Sequence, residues 1–248
     1  KNMKIGSKNF VIGERTYIMG ILNVTPDSFS DGGQHNKLKD AFGHAQKMIE
    51  EGADIIDVGG ESTRPNYTMI SEEEEIARVV PVIEAIRKRF DIPISIDTYK
   101  SKVARAACQA GADLVNDIWG LKYDPDMAAA VKEMDVPVCI MHNRKEIDYQ
   151  NFMEDFLADM KESITIAKNA GIAEDKIMID PGIGFAKTLS MNLSLVNHLE
   201  ILKQFGYPVL LGTSRKSMIG NTLKVPVDQR LEGTIATSVI GVMKGCHF

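Results

Sequence analysis

The chain has 248 residues, 44% of them hydrophobic and 25% charged, with a formal net charge of −5. That length and balance suit a globular protein with a sizeable core, and α/β barrels commonly occupy about 250 residues. The negative charge argues against a sequence-independent grip on nucleic acid or on an anionic membrane, while leaving room for a local basic pocket.

The three cysteines, Cys108, Cys139 and Cys246, are far apart and form no CxxC pair. Neither a disulfide framework nor a zinc site is expected. Lys1, Lys4 and Lys8 precede no long apolar run, so the N-terminus lacks the pattern of a signal peptide. With no stretch of about 20 apolar residues for a membrane span, the cytoplasm is the expected setting.

In chain order, Ile5–Arg15 predicts a hairpin around Gly13 that caps the N-terminal face of the main sheet. Seven short apolar runs then read as buried parallel strands: Tyr17–Val24, Ile55–Gly59, Pro93–Asp97, Leu114–Ile118, Val136–Met141, Lys176–Asp180 and Tyr207–Gly212. Helical patterns alternate with them at Leu38–Glu51, Ser71–Phe90, Ser101–Gly111, Pro125–Met134, Asn151–Gly171, Met191–Phe205 and Asp228–Lys244. Gly52, Gly111 and Gly171 stand where helix C-caps belong. Ser71-Glu72-Glu73-Glu74 reads as a capping box. Serial β-then-α units imply right-handed parallel crossovers. With an eighth strand beginning near Cys246, they fit a closed (β/α)₈ TIM barrel better than an open, doubly wound sheet. One domain over 1–248 is expected.

Polar residues recur at the ends of these strands, and in such a barrel those ends meet at one mouth. The first strand runs into Asn23, and the second carries Asp57 and leads to Gly60-Glu61-Ser62-Thr63-Arg64-Pro65. The third ends at Asp97, the fourth carries Asn116 and Asp117, and the fifth leads to Met141-His142-Asn143. The sixth ends at Asp180-Pro181-Gly182 and the seventh at Gly212-Thr213-Ser214-Arg215-Lys216-Ser217. Asp97, Asn116, Asp180 and Lys216 offer acceptors for ring N–H and amino donors and one donor for a ring carbonyl or nitrogen. A pterin and a purine-like heterocycle fit that set equally well. The Gly212–Ser217 run resembles an anion site at a helix start, although Walker A spacing is absent. The five histidines show no paired metal spacing, and His142 reads more readily as structural than as a general base. Trp119 reads as packing.

Read together, four long motifs carry a resemblance. Gly20-Ile21-Leu22-Asn23-Val24-Thr25-Pro26-Asp27-Ser28-Phe29-Ser30-Asp31-Gly32-Gly33 and Asp57-Val58-Gly59-Gly60-Glu61-Ser62-Thr63-Arg64-Pro65 closely resemble two signatures of dihydropteroate synthases. Asp180-Pro181-Gly182-Ile183-Gly184-Phe185 and Gly212-Thr213-Ser214-Arg215-Lys216-Ser217 resemble two more. The resemblance spans nearly the whole chain in order. It implies a cytoplasmic, homodimeric TIM-barrel transferase of folate biosynthesis that joins 6-hydroxymethyl-7,8-dihydropterin diphosphate to p-aminobenzoate and is open to competition by sulfonamides.

Carried over by position, the resemblance implies that Asp97, Asn116, Met141, Asp180, Gly212 and Lys216 hold the pterin. Phe29, Thr63, Arg64, Pro65, Phe185, Lys216 and Ser217 would hold p-aminobenzoate. Asn23 would ligate Mg²⁺, with Asn23 and Thr63 on the diphosphate. Asp97, Lys216, Asn23, Asp31 and Arg64 would form the catalytic set. The family pattern also expects an Arg and a His on the eighth strand and a closing helix beyond His247-Phe248. Two rivals remain on sequence grounds. One is a pterin-binding methyltransferase, which has little reason to keep Ser-Thr-Arg-Pro or Thr-Ser-Arg-Lys-Ser; the other is a non-catalytic pterin-binding module.

Overall fold

A computed structural model of the chain describes residues 1–25, 34–62, 69–212 and 246–248, with the backbone alone at 34–36. It opens on an antiparallel hairpin of β1 (Asn2–Ile5) and β2 (Lys8–Val11). The turn lies at Gly6-Ser7, not at Gly13, because Gly6 is the residue that takes the left-handed conformation between the paired strands (φ 60°).

Six parallel strands come next, in sequential order: β3 (Met19–Asn23), β4 (Ile55–Gly59), β5 (Ile94–Asp97), β6 (Leu114–Asp117), β7 (Val138–Met141) and β8 (Ile177–Asp180). Between and after them lie α1 (Gln34–Glu50), α2 (Glu72–Arg89), α3 (Ser101–Ala110), α4 (Met127–Met134), α5 (Phe152–Asn169) and α6 (Leu189–Asn197). The predicted helix over Met191–Phe205 is two pieces, since the α6 turn ends at His198 and Leu199–Phe205 tightens into a 3₁₀-helix. At the start of α2 the Ser71 hydroxyl accepts from the Glu74 N–H. The Glu74 carboxylate turns along the helix to Arg78, 2.7 Å away.

Backbone hydrogen bonds carry the sheet beyond β8 and back to its start. Ile179 bridges Val209 in parallel, and the Leu210 N–H donates to the Ile179 carbonyl at 2.9 Å. The His247 N–H donates to the Val209 carbonyl and the Leu211 N–H to the Phe248 carbonyl. The Tyr17 N–H, just before β3, donates to the His247 carbonyl at 2.9 Å. The parallel ring therefore closes, as the (β/α)₈ reading expects. The predicted helix over Asp228–Lys244 lies outside the described residues.

Below their C-terminal ends the barrel strands are largely apolar, because both of their faces are covered. Leu22, Val58, Ile96, Val115, Ile140, Ile179 and Val209 join the core under the helices. Ile55, Leu114, Cys139, Met178 and Leu210 point the other way and form a second cluster with Met3, Ile5, Phe10, Tyr17 and Phe248. The hairpin thus plugs the N-terminal end of the barrel. Phe10 packs edge-on against both Tyr17 and Phe248, at 4.7 and 5.5 Å between ring centres. Such pairs each add about 0.5–1.5 kcal/mol beyond area burial.

Candidate active site in the barrel mouth

Alternation along a strand turns the bottom plug into a map of the mouth. Side chains two residues apart share a face. Two residues beyond Ile55, Leu114, Cys139, Met178 and Leu210 come Asp57, Asn116, Met141, Asp180 and Gly212. These therefore form the next interior layer towards the C-terminal ends of the strands. Register pairs Asp57 with Ser95, Asp97 with Asn116, and Met141 with Asp180. A side chain at Gly59 would begin 3.4 Å from the Asp97 carboxylate, so glycine there leaves room beside it. Asn23 pairs with Gly59 and is exposed at its strand end.

The electrostatics report the same convergence. Burial raises the Cys139 thiol well above its ordinary pKa, and Asp180, Asp57, Asp117 and Asp97 raise it further. Burial also raises the Asp57 carboxyl; Ser95 and Asn116 oppose that rise, and the neighbouring Asp180 charge adds to it. Asp57 Oδ1, Ser95 Oγ and Asn116 Oδ1 are all buried and make no well-formed hydrogen bond among the described residues, although Ser95 and Asn116 stand close enough to Asp57 to hold its pKa down. Such atoms are costly unless a donor reaches them. Asp180 is aimed by its own turn: the Gly182 N–H donates to its Oδ1 at 2.8 Å. Gly182 sits at φ 71°, and a Cβ there would meet the His142 carbonyl oxygen at 2.0 Å. Only glycine allows this crossing.

Beside the acids stands an apolar wall. Tyr99, Ile118 and Met141 form a buried cluster, with Trp119 and Phe185 packed against it. Of the residues expected to hold a pterin, Asp97, Asn116, Met141, Asp180 and Gly212 lie on this one mouth, with Phe185 at its side. Phe29, Asp31, Thr63, Arg64, Pro65, Lys216 and Ser217 lie outside the described residues.

Three acidic residues near the mouth have other duties. Asp117, beside Asn116, accepts from the Trp119 and Leu121 N–H groups at 2.8 and 3.0 Å and so fixes the turn after β6. Burial pushes its pKa up to about 7. Glu61 and Glu75 flank buried Lys100, whose Nζ lies 3.0 and 2.7 Å from them and also reaches the Ile70 carbonyl. Tyr99 and the Ile70 N–H donate to Glu61. This network ties the chain after β4 to the chain after β5.

His142, read from the sequence as structural, is engaged by a neighbouring carboxylate. Its Nε2 lies 2.8 Å from Asp159 Oδ2, which Arg144 also holds through Nε at 2.7 Å. Its other ring nitrogen is buried, with no partner among the described residues. Burial lowers its pKa to about 4, so the ring is neutral and donates through Nε2. Sequence reading left Asp57 out of the binding set. The signal that would have found it was the two-residue step from Ile55, read together with the same step on the neighbouring strands.

Among known families, a model described as "Pterin binding enzyme" matches residues 19–248. A dihydropteroate synthase of Clostridium beijerinckii is 63% identical over 247 residues, covering 99% of this chain and 92% of that protein. The chain belongs to the dihydropteroate synthase family. A solved dihydropteroate synthase of Clostridium difficile, in the presence of pteroic acid, superposes with a TM-score of 0.94 at 51% identity. That match covers 96% of this chain and 91% of the other. A Xanthomonas albilineans dihydropteroate synthase with 4-aminobenzoic acid gives 0.94 at 40% identity, covering 99% and 90%. Within the interior layer, Asp57 and Asp180 fall in the motifs that carry the dihydropteroate synthase resemblance, and Asn116 and Met141 reach the same layer from strands between those motifs.

Proposed function

We propose that this chain condenses 6-hydroxymethyl-7,8-dihydropterin diphosphate with p-aminobenzoate, giving 7,8-dihydropteroate and diphosphate in folate biosynthesis. One observation carries the reading: Asp57 and Asn116, in the same strand-end interior as Asp97 and Asp180, each keep a buried side-chain oxygen with no well-formed hydrogen bond among the described residues. A pterin ring brings an amino group and ring N–H groups to such acceptors. One similar protein was solved in the presence of pteroic acid and another with 4-aminobenzoic acid, which supports ligands of the same kind here.

The proposed chemistry is a dissociative substitution. The bond between the exocyclic methylene carbon and the diphosphate oxygen breaks, and the electron pair leaves with diphosphate. The methylene cation that remains is delocalised into the electron-rich dihydropterin. Asp97, standing at the strand end beside Gly59, offers a negative charge to that cation. The aromatic amine then forms the new C–N bond and sheds a proton that attachment has made acidic, so no strong base is needed. Neutral His142 is held away from that role by Asp159.

Among the described residues, Asn23 suits a magnesium ion. Asn23 offers a neutral, hard amide oxygen at the exposed end of β3, and Mg²⁺ keeps waters and substrate phosphates as most of its ligands. When bound, the ion neutralises charge on the leaving diphosphate. Magnesium dependence, a homodimeric state, a cytoplasmic setting and competition by sulfonamides with p-aminobenzoate belong to the same proposal. The deciding experiment measures diphosphate release with both substrates and Mg²⁺. Release that needs p-aminobenzoate supports the reading; binding of the pterin without release upon adding p-aminobenzoate overturns it.

A further inference from the structure

The turn after β8 carries Phe185, and it is locked from three directions. Lys187 lies almost wholly buried, at 8% exposure, an unusual place for a lysine. Its Nζ donates to the Gly182 carbonyl at 2.9 Å and to the Phe185 carbonyl at 2.8 Å, folding the turn around its own side chain. The Phe185 N–H also donates to the Gly182 carbonyl, at 3.0 Å. From the chain after β7, the Tyr149 hydroxyl donates to the Ala186 carbonyl at 2.9 Å. From α6, the buried Asn192 side chain accepts from the Gly184 N–H at 2.9 Å. Ala186 is held at φ 50°, a conformation that a free alanine avoids. All of this order is concentrated on a short turn whose Ile183 is buried in the main core and whose aromatic side chain, Phe185, packs against the Tyr99–Ile118–Met141 cluster.

We infer that Lys187, backed by Tyr149, is a positioning residue for the aromatic wall: by gathering the Gly182 and Phe185 carbonyls it fixes the Phe185 ring where p-aminobenzoate stacks. The inference rests on the proposed reaction. Lys187 and Tyr149 act through the turn and not by touching substrate. Losing Lys187 removes its bond to the Phe185 carbonyl and loosens the ring, while Asp180 keeps its own bond from the Gly182 N–H. The effect should therefore fall on the p-aminobenzoate side of the mouth and spare the pterin side.

The test compares steady-state kinetics of the full chain with those of Lys187→Met, Tyr149→Phe and a surface control, Lys161→Met on α5. Hydrogen bonds from a charged donor are worth more than neutral ones. Lys187→Met should raise KM for p-aminobenzoate about tenfold, and Tyr149→Phe about threefold, with KM for the dihydropterin diphosphate within about twofold of the parent. Trp119 is the single tryptophan of the chain and packs against the same cluster as Phe185, so its emission reports a rearrangement of that cluster. It should shift in both variants and stay fixed in the control. If Lys187→Met does not fold, Tyr149→Phe decides alone. A parent-like KM for p-aminobenzoate, or equal rises in both KM values, overturns the positioning role. A parent enzyme that is itself inactive with both substrates overturns the assigned reaction instead.

Discussion

Asp57 and Asp97 stand on neighbouring strands and face the same interior, yet their surroundings differ. Asp57 is 3% exposed, with burial holding its pKa up, whereas Asp97 reaches the strand end and is part-exposed. In the proposed reaction Asp97 is the carboxylate that meets the developing cation, so Asp97→Asn should cut kcat by about a hundredfold or more while the protein stays folded. A diphosphate-release assay checks this, and near-normal turnover would remove the electrostatic role. His142 gives a prediction of another kind. Its pKa is about 4 when folded, below its usual 6.5, so the unfolded chain binds more protons between those values. Stability from this group is complete above pH 6.5 and is lost as pH falls towards 4. The loss amounts to at most about 3 kcal/mol. His142→Gln should unfold with a flatter dependence on pH across that window, as urea titrations at a series of pH values would show.

At the scale of elements, the strands set the height of each functional side chain, and the turns after them set its direction. The Lys100 network shows how firmly two such turns are joined. Glu75 and Glu61 are 1% and 9% exposed, and Lys100 is the cation between them. Burial raises the Glu75 pKa, while Lys100 and Thr98 oppose that rise. Removing the lysine leaves two carboxylates buried side by side. Lys100→Met should therefore cost about 3–5 kcal/mol in equilibrium unfolding. Adding Glu75→Gln should recover part of it, because one of the stranded charges is gone. Additive losses in the double variant would mean that the pair is not coupled.

For the molecule as a whole, the two ends of the described chain meet under the barrel. Phe10 from the hairpin and Phe248 from the last residues pack on Tyr17 and close the floor over Cys139. Cys139 is fully buried there, with a thiol pushed far from ionisation. Phe10→Ala should cost about 3–5 kcal/mol and open a path to that thiol. Faster labelling of Cys139 by a thiol reagent under native conditions would report the opening, and an unchanged rate would place the plug elsewhere.

Much of this architecture was legible in the residues themselves. Apolar runs of strand length separated by helical periods dictate a parallel α/β fold, because only a sheet covered on both faces buries such runs. The long motifs dictated the family, and the recurrence of Asp and Asn at strand ends marked the mouth. Three features were decided only by the tertiary structure. The hairpin turn settled on Gly6 because register with β2, and not the mere presence of a glycine, selects the turn. Asp57 and Asp117, both read as acids of the strand ends, were separated: Asp57 faces the interior and Asp117 braces the turn after β6, since the two-residue alternation of a strand acquires an inside only when the ring closes. Lys187 folded its ammonium onto carbonyls of its own turn. Whether a lysine is a solvated charge or an internal brace depends on burial, and burial is set by neighbours distant in the chain.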